Sequence, residues 1–281
     1  MQIAFATSDA MRHLDNEIPL LLAAATHRGH QANICSWDDP AVDWNSYDTV
    51  VVRSCWGYAR RRDEFVAWAY SVPRLQNPAR VIEWNTDKVY LREFARARTP
   101  VVDTYWNVQA GDDIGDHEEW VCKPSISAGS KDTARWGRRD EVYAHSAELI
   151  ASGHTSMVQP CIRSVDTDGE TTMIFLGGEF SHAVRKGQLL HQGEDLRRDR
   201  DSPETITPRA PTAAQHEVAA ESLAAVARIL ILDDPLLYAR VDLVTGPDGS
   251  PLVVELDLTE PSLFLAHSED AAERLVRALE K

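Results

Sequence analysis

Four charged residues in the last third of the chain are spaced as if to hold a metal-bound anion. The runs YARVDLV (238–244) and LVVELD (252–257) are rich in apolar and β-branched residues and flank the segment TGPDGSP. An Asp-Gly pair between two such runs signals a hairpin. With Asp248 and Gly249 as a two-residue loop, Pro247 faces Ser250, Val244 faces Val253, Asp242 faces Glu255 and Arg240 faces Asp257. Side chains alternate faces along a strand. Leu252, Val254 and Leu256 then share one face, and Arg240, Asp242, Glu255 and Asp257 share the other. Opposed like charges destabilise a hairpin, so this patch needs a solvent shell, several cations or a metal. Hard ions such as Mg²⁺ take oxygen ligands from a few carboxylates plus phosphate. The arginine among the acids points to an anion shared with that metal, and a solvated edge face is the plain alternative.

A second feature is CKPSISAGSKDT, residues 122–133. Lys123 ends an apolar run, and the small residues Ser125, Ser127, Ala128, Gly129 and Ser130 follow. Small residues let backbone N–H groups approach an anion closely, and the lysine adds a point charge. In MVQPCI (157–162) an apolar run is interrupted by Gln159-Pro160, which leaves backbone groups free to bond a flat purine edge or else marks an edge strand. Neither G-x-G-x-x-G after the first strand nor G-x-x-x-x-G-K-[ST] occurs, which disfavours a dinucleotide fold and a P-loop enzyme.

The elements that must position these residues follow from hydrophobic periodicity. Residues 2–6, 32–36 and 49–54 read as strands, and 15–28 and RDEFVAWAYSV as helices. Such alternation argues a parallel sheet with helices on both faces, and ligands bind beyond the carboxyl ends of its strands, where RSCWGY (53–58) falls. EWNTDKVYLREFARAR reads as one helix with Asn85 or Thr86 as N-cap, stopped by Pro100. From about residue 101 the pattern becomes a series of short β runs, two of them joined by the hairpin signal Gly177-Gly178. A polar stretch, 188–211, reads as a mobile loop. Helices at 212–231 and 268–280 surround the acidic hairpin.

Composition removes several function classes. The 281-residue chain is 43% hydrophobic and 26% charged with a net charge of −15, so it offers no broad basic field to nucleic acid or an anionic membrane. Four cysteines, at 35, 55, 122 and 161, lack zinc-ligand spacing and read as buried free thiols. The first residues lack a basic n-region and a long apolar stretch, so a cytoplasmic protein is expected. His182 reads as a hydrogen-bonded strand residue and Trp68 as packing. The oligomeric state stays open.

Taken in order, Lys88 at a helix start, Lys123 before a small-residue loop, Gln159-Pro160, and then Arg240, Asp242, Glu255 and Asp257 resemble the ATP-grasp superfamily. The resemblance implies an α/β N-terminal domain with a parallel sheet (1–100), a small lid subdomain (101–162) and a catalytic subdomain (163–281). The last two would form an α+β ATP-grasp body with two mostly antiparallel sheets. It implies ATP and two Mg²⁺ ions, with Mn²⁺ as a substitute. Lys88, Lys123, Ser127 and Gly129 would face phosphates, Gln159 and Cys161 would flank the adenine, and Asp166 would approach the ribose. Asp242, Glu255 and Asp257 would hold metal, with Asp257 replacing the asparagine of the usual Glu-x-Asn, and Arg240 would hold the transferred phosphoryl group.

The segments RSCWGY, VIEWNTDKVYL, GGEFSHAVRK and ELDLTEPSLF look most like the branch that cyclises O-ureido-D-serine to D-cycloserine with release of ADP. That likeness implies a small amino-acid substrate met by Arg53, Ser54, Trp56 and Ser262, with Arg185 and Lys186 facing its carboxylate or acyl phosphate. A ligase joining two separate small molecules and a phosphotransferase on the same fold remain open alternatives.

Overall fold

A computed structural model describes residues 1–129, 131–187 and 205–281. Strand β1 (Gln2–Thr7) buries Ile3, Ala4, Phe5 and Ala6 completely. A strand apolar on both faces belongs inside a parallel sheet. It lies between β2 (Gln31–Ser36) and β3 (Thr49–Val52), with β4 (Leu75–Gln76) beyond β3, all parallel. Helix α1 (Ile18–His27) packs on the face of Ile3, Phe5 and Val51. Helix α2 (Arg62–Ser71) packs through Phe65, Trp68 and Ala69 on the opposite face, with Ala4, Ala6, Val50 and Val52. Trp68 is thus a packing residue, its ring 5.3 Å from that of Phe65.

The single helix expected after residue 83 is two, α3 (Ala79–Asn85) and α4 (Tyr90–Arg96). The break at 86–89 arises because these residues bond elsewhere. The Asp87 carboxylate accepts from Val89 N–H (3.1 Å), and Lys88 N–H donates to the Ser125 carbonyl (2.9 Å). Asn85 therefore ends a helix rather than capping the start of one.

A second sheet is antiparallel, with β5 (Tyr105–Trp106), β8 (Ser156–Pro160), β6 (Trp120–Pro124) and β7 (Ala134–Trp136) in that order, backed by α5 (Arg139–Ala151). Pro160 is the last residue of an inner strand, opposite Trp120, and does not mark an edge strand. Short helix α6 (Ser164–Thr167) leads to the third sheet. Its order is β11 (Ile206–Pro208), β10 (Glu179–Lys186), β9 (Glu170–Leu176), β12 (Tyr238–Thr245) and β13 (Pro251–Asp257), antiparallel throughout. Of the polar stretch expected as loop, 188–204 lie outside the described residues, as does Ser130, while Ile206–Pro208 forms a strand. Helix α7 (Ala213–Leu230) opens with a Thr212–Gln215 capping box and packs behind this sheet. Helix α8 (Ala271–Ala278) joins α1 in a second core. Among the described residues no helix is long and apolar enough to cross a membrane.

The acidic hairpin pairs as counted at one end and differs at the other. Arg240 faces Asp257 and Asp242 faces Glu255, but Leu243 faces Val253 and Val244 faces Leu252. The loop has three residues, 247–249, closed by Gly246 N–H donating to the Ser250 carbonyl (2.7 Å), with Gly249 at φ +86°. Val254 is an extra, unpaired residue, a β-bulge. The longer loop and the bulge offset each other at the acids. The bulge also puts Val253, not Val254, in the core with Leu256 and turns Val254 toward a cavity beside Glu255.

Candidate active site

A cavity of about 600 Å³ lies among the three sheets. Val102, Val121, Ile162, Val165, Val244 and Val254 line an apolar part, together with Gln159, Pro160 and Cys161. Lys88, Lys123, Lys186 and Arg240 supply cations, and Glu170, Glu255, Asp257 and Glu260 supply acids. Trp56, Tyr58, Ser262 and Phe264 line it as well.

The acid-bearing strand is held from its free side by Asn85, expected instead as an N-cap, and by Tyr90. Asn85 Nδ2 donates to the Leu256 carbonyl (2.8 Å), and its Oδ1 accepts from Leu258 N–H (2.7 Å) and the Thr259 hydroxyl (3.0 Å). The Tyr90 hydroxyl accepts from Leu256 N–H (2.8 Å) and donates to the Leu256 carbonyl (2.9 Å). Farther back, Val253 exchanges backbone bonds with Pro100 and Val102. These contacts satisfy an edge that would otherwise expose unpaired backbone groups. The one available signal was Asn85 itself, which also fits a cap.

Each carboxylate of the hairpin meets a cation. Lys88 Nζ is 3.3 Å from Glu255 and donates to the Ser127 carbonyl (3.0 Å). Arg240 is 3.1 Å from Asp242 and 3.4 Å from Asp257, and Lys186 bridges Asp242 (3.2 Å) and Glu170 (3.0 Å). Burial pushes the Glu255 carboxyl up, but Lys88, Lys123, Arg240 and Lys186 outweigh it and hold it at about 2. Asp242 is likewise lowered, because Arg240 and Lys186 prevail over its burial. Asp257 is raised, chiefly by burial with Glu255 adding to it against Arg240. Burial lowers the Lys123 amine, with Glu255 opposing and Lys88 reinforcing. Glu260 is raised well above its usual range by burial and then by Asp257.

Among the described residues no group of three histidine, cysteine or acidic side chains is gathered in a metal-holding arrangement. The donor chemistry of Asp242, Glu255 and Asp257 nevertheless fits a hard divalent cation, since all three offer carboxylate oxygens from paired positions on one hairpin face. Their present partners are lysine and arginine cations, groups that phosphate oxygens can draw away.

Several expected site residues are elsewhere. Arg53 is 1% exposed and bonds Glu17 (2.6 Å) and the Pro261 carbonyl (3.2 Å), so it lies behind the cavity wall and does not line it. Ser54 is fully buried against the Thr7 hydroxyl (2.6 Å). Arg185 turns away from its neighbour Lys186, as strand alternation requires, and donates to the Asp168 and Thr167 carbonyls. Asp166 is engaged by Arg135 (2.6 Å), and that arginine lines the cavity in its place. Asp242 is 1% exposed and lies under Lys186 and Arg240. Cys161 N–H donates to the Glu119 carbonyl, and burial pushes its thiol up to about 11. Trp56, Lys88, Lys123, Ser127, Gly129, Gln159, Cys161, Lys186, Arg240, Glu255, Asp257 and Ser262 all line the one cavity. His182 bonds the Leu263 carbonyl (2.9 Å), a strand residue with a satisfied ring.

Residues 3–79 match the family model described as the N-terminal domain of D-cycloserine synthetase DcsG. Over 299 aligned residues the chain is 37% identical to the cycloserine biosynthesis protein DcsG of Streptomyces lavendulae, covering 99% of this chain and 97% of that protein. The chain belongs to the D-cycloserine synthetase family. A crystal structure of D-cycloserine synthetase DcsG superposes with a TM-score of 0.90 at 37% identity, over 99% of this chain and 98% of the other. An ATP-grasp RimK domain protein of Sphaerobacter thermophilus shares the fold with a TM-score of 0.68 at 17% identity, each chain covered completely. The D-alanine–D-alanine ligase of Bacillus anthracis shares it at 0.63 and 15% identity, over 100% of this chain and 96% of the other. The chain thus shares the fold of ATP-grasp ligases, a parallel-sheet N-terminal domain followed by antiparallel sheets.

Proposed function

We propose that this ligase activates the carboxylate of O-ureido-D-serine with ATP and closes the ring of D-cycloserine, consuming water and releasing ADP, phosphate, CO2 and ammonia. The observation that carries this reading is a single cavity combining an apolar slot, five cationic side chains and the hairpin acids Glu255 and Asp257, in a member of the D-cycloserine synthetase family that aligns over 97% of its relative. The valine-lined part beside Gln159 and Cys161 suits an adenine ring. Lys88, Lys123, Ser127 and Gly129 would hold the phosphates, and their charge and close-approach backbone match that task. Asp242, Glu255 and Asp257 would hold Mg²⁺, two ions in all, with Mn²⁺ as a substitute. A metal held there would offset the negative charge that develops on the phosphates.

Arg240 would orient the transferred phosphoryl group through its bidentate fork, and Lys186 would neutralise the acyl phosphate. Trp56 and Ser262 would border the substrate. The nitrogen bonded to the side-chain oxygen attacks the acyl carbon as phosphate leaves, and water cleaves the carbamoyl group from that nitrogen as CO2 and ammonia. The protein's part is to position the ends of one molecule. We divide the chain accordingly into a substrate-side domain (1–100), a lid (101–162) and a catalytic subdomain (163–281).

The test is ADP release with Mg²⁺ against a panel of small amino acids and O-substituted serines, with mass spectrometry of the product. D-Cycloserine from O-ureido-D-serine is the expected result, and Glu255→Gln is expected to abolish turnover while weakening ATP binding less. No ATP turnover with any of the panel would refute the reading, and full activity in Glu255→Gln would refute the metal assignment.

A further inference from the structure

Five acidic side chains meet at this site, and one lacks a cation. Glu255 has Lys88, Asp257 has Arg240, Asp242 has Arg240 and Lys186, and Glu170 has Lys186. Glu260 is 7% exposed and lines the cavity, and its Oε2 has no hydrogen-bond partner. Among the described residues no lysine, arginine or histidine pairs with it. A buried carboxyl oxygen without a partner is costly, and such a group calls for an explanation.

The backbone around Glu260 is tied on both sides, so its position at the cavity wall is fixed. Glu260 N–H donates to Asp257 (3.3 Å), and the Glu260 carbonyl accepts from Trp56 Nε1 (3.1 Å). Arg53 holds the Pro261 carbonyl, and the Glu17 carboxylate accepts from Leu263 N–H (2.9 Å) and Leu265 N–H (2.7 Å). The fold thus fastens an unpaired acid in place.

We propose that Glu260 receives the protonated α-amine of the amino-acid substrate. The inference rests on the ligase reading above and adds the group that selects α-amino acids. An ammonium supplies both the missing charge and the missing donors. Along the chain, Val254 faces the apolar slot, Glu255 and Asp257 follow with their cations, and Glu260 comes beyond them with Ser262 and Phe264. A cation at Glu260 would therefore sit beside Trp56, whose indole bonds the Glu260 carbonyl, at the part of the cavity bordered by Ser262 and Phe264. Arg240, an anion-binding group, is paired to Asp257, whose carboxylate also accepts from Glu260 N–H. An anion receiver next to an unpaired carboxylate complements an α-amino acid, whose carboxyl and amine share one carbon.

The test uses O-ureido-D-serine and its analogue with hydrogen in place of the α-amine, on wild type, Glu260→Gln and Glu260→Asp. ADP release gives KM and kcat, and nucleotide titration gives the Kd for ATP. Glu260→Gln is expected to raise KM for O-ureido-D-serine about 10- to 100-fold. The analogue's kcat/KM and the ATP Kd should stay within about twofold of wild type, and Glu260→Asp should fall between. Wild type should disfavour the analogue by a factor similar to the KM loss, and this comparison carries the test if Glu260→Gln fails to bind ATP. An unchanged KM, equal losses on both substrates, or a raised Mg²⁺ requirement in its place would overturn the proposal while leaving the ligase reading intact. A wild type that releases no ADP with any amino acid overturns both.

Discussion

Replacing Arg53 separates a structural role from a substrate-binding one. Its guanidinium donates to Glu17 at 2.6 Å and to the Pro261 carbonyl at 3.2 Å, with Asp15 at 3.5 Å. Arg53 and Asp15 side chains are 1% exposed and that of Glu17 8%. Arg53→Ala would leave two acids in the interior without a cation, and removing one partner of a buried pair costs about 3–5 kcal/mol. The lost bond to Pro261 adds about 1 kcal/mol. Against a typical total of about 5–15 kcal/mol this is a large fraction. Urea unfolding followed by tryptophan fluorescence should show a destabilisation of at least about 3 kcal/mol. Arg53→Lys should recover little, since an ammonium cannot reproduce the fork. Arg53→Met combined with Glu17→Gln should recover part of the loss by removing an uncompensated charge. Stability within about 1 kcal/mol of wild type, together with a sharply raised KM for the amino acid, would refute the structural assignment and restore Arg53 to the substrate pocket.

Asn85→Ala removes three hydrogen bonds to the end of the acidic strand, and at about 1 kcal/mol each it should destabilise by about 3 kcal/mol and lower kcat. Unfolding and steady-state ADP release measure both, and a loss below about 1 kcal/mol would count against the clamp. His182 is depressed by burial, although its bonds to the Leu263 and Phe264 carbonyls oppose this, as does Glu17, while Arg274 reinforces it. The unfolded chain therefore binds the extra proton first, so stability should fall as pH drops below about 6.5 and through the lower folded value. Urea midpoints at several pH values should show a flatter acid limb for His182→Gln than for wild type, and identical limbs would refute the assignment.

Much of the fold was legible because its signals are local. The buried β1 and β3, the Gly177-Gly178 turn and the helix after residue 212 each depend on a few neighbouring residues. Where expectation and structure part, a distant contact is responsible. The helix through Lys88 breaks because its backbone reaches Ser125, and the hairpin carries a bulge at Val254, beside Val253's pairing with 100–102. Arg53 and Asp166 carried plausible charges in plausible places, yet each is taken by acids or arginine remote in sequence. Glu260 was one more acid in ELDLTEP until burial and the absence of a partner among the described residues set it apart.

The sequence by itself pointed to Arg240, Asp242, Glu255 and Asp257 on one face of a hairpin, although that pairing survives because a three-residue loop and a bulge at Val254 offset each other. It also carried the ordered lysines and acids by which an ATP-grasp ligase can be recognised. Only the tertiary structure decided which cation meets which acid, which arginine is interior support, and which carboxylate is left for a ligand. Those outcomes depend on three sheets meeting around one cavity, where burial and pairing are properties of the whole packing and of no single segment.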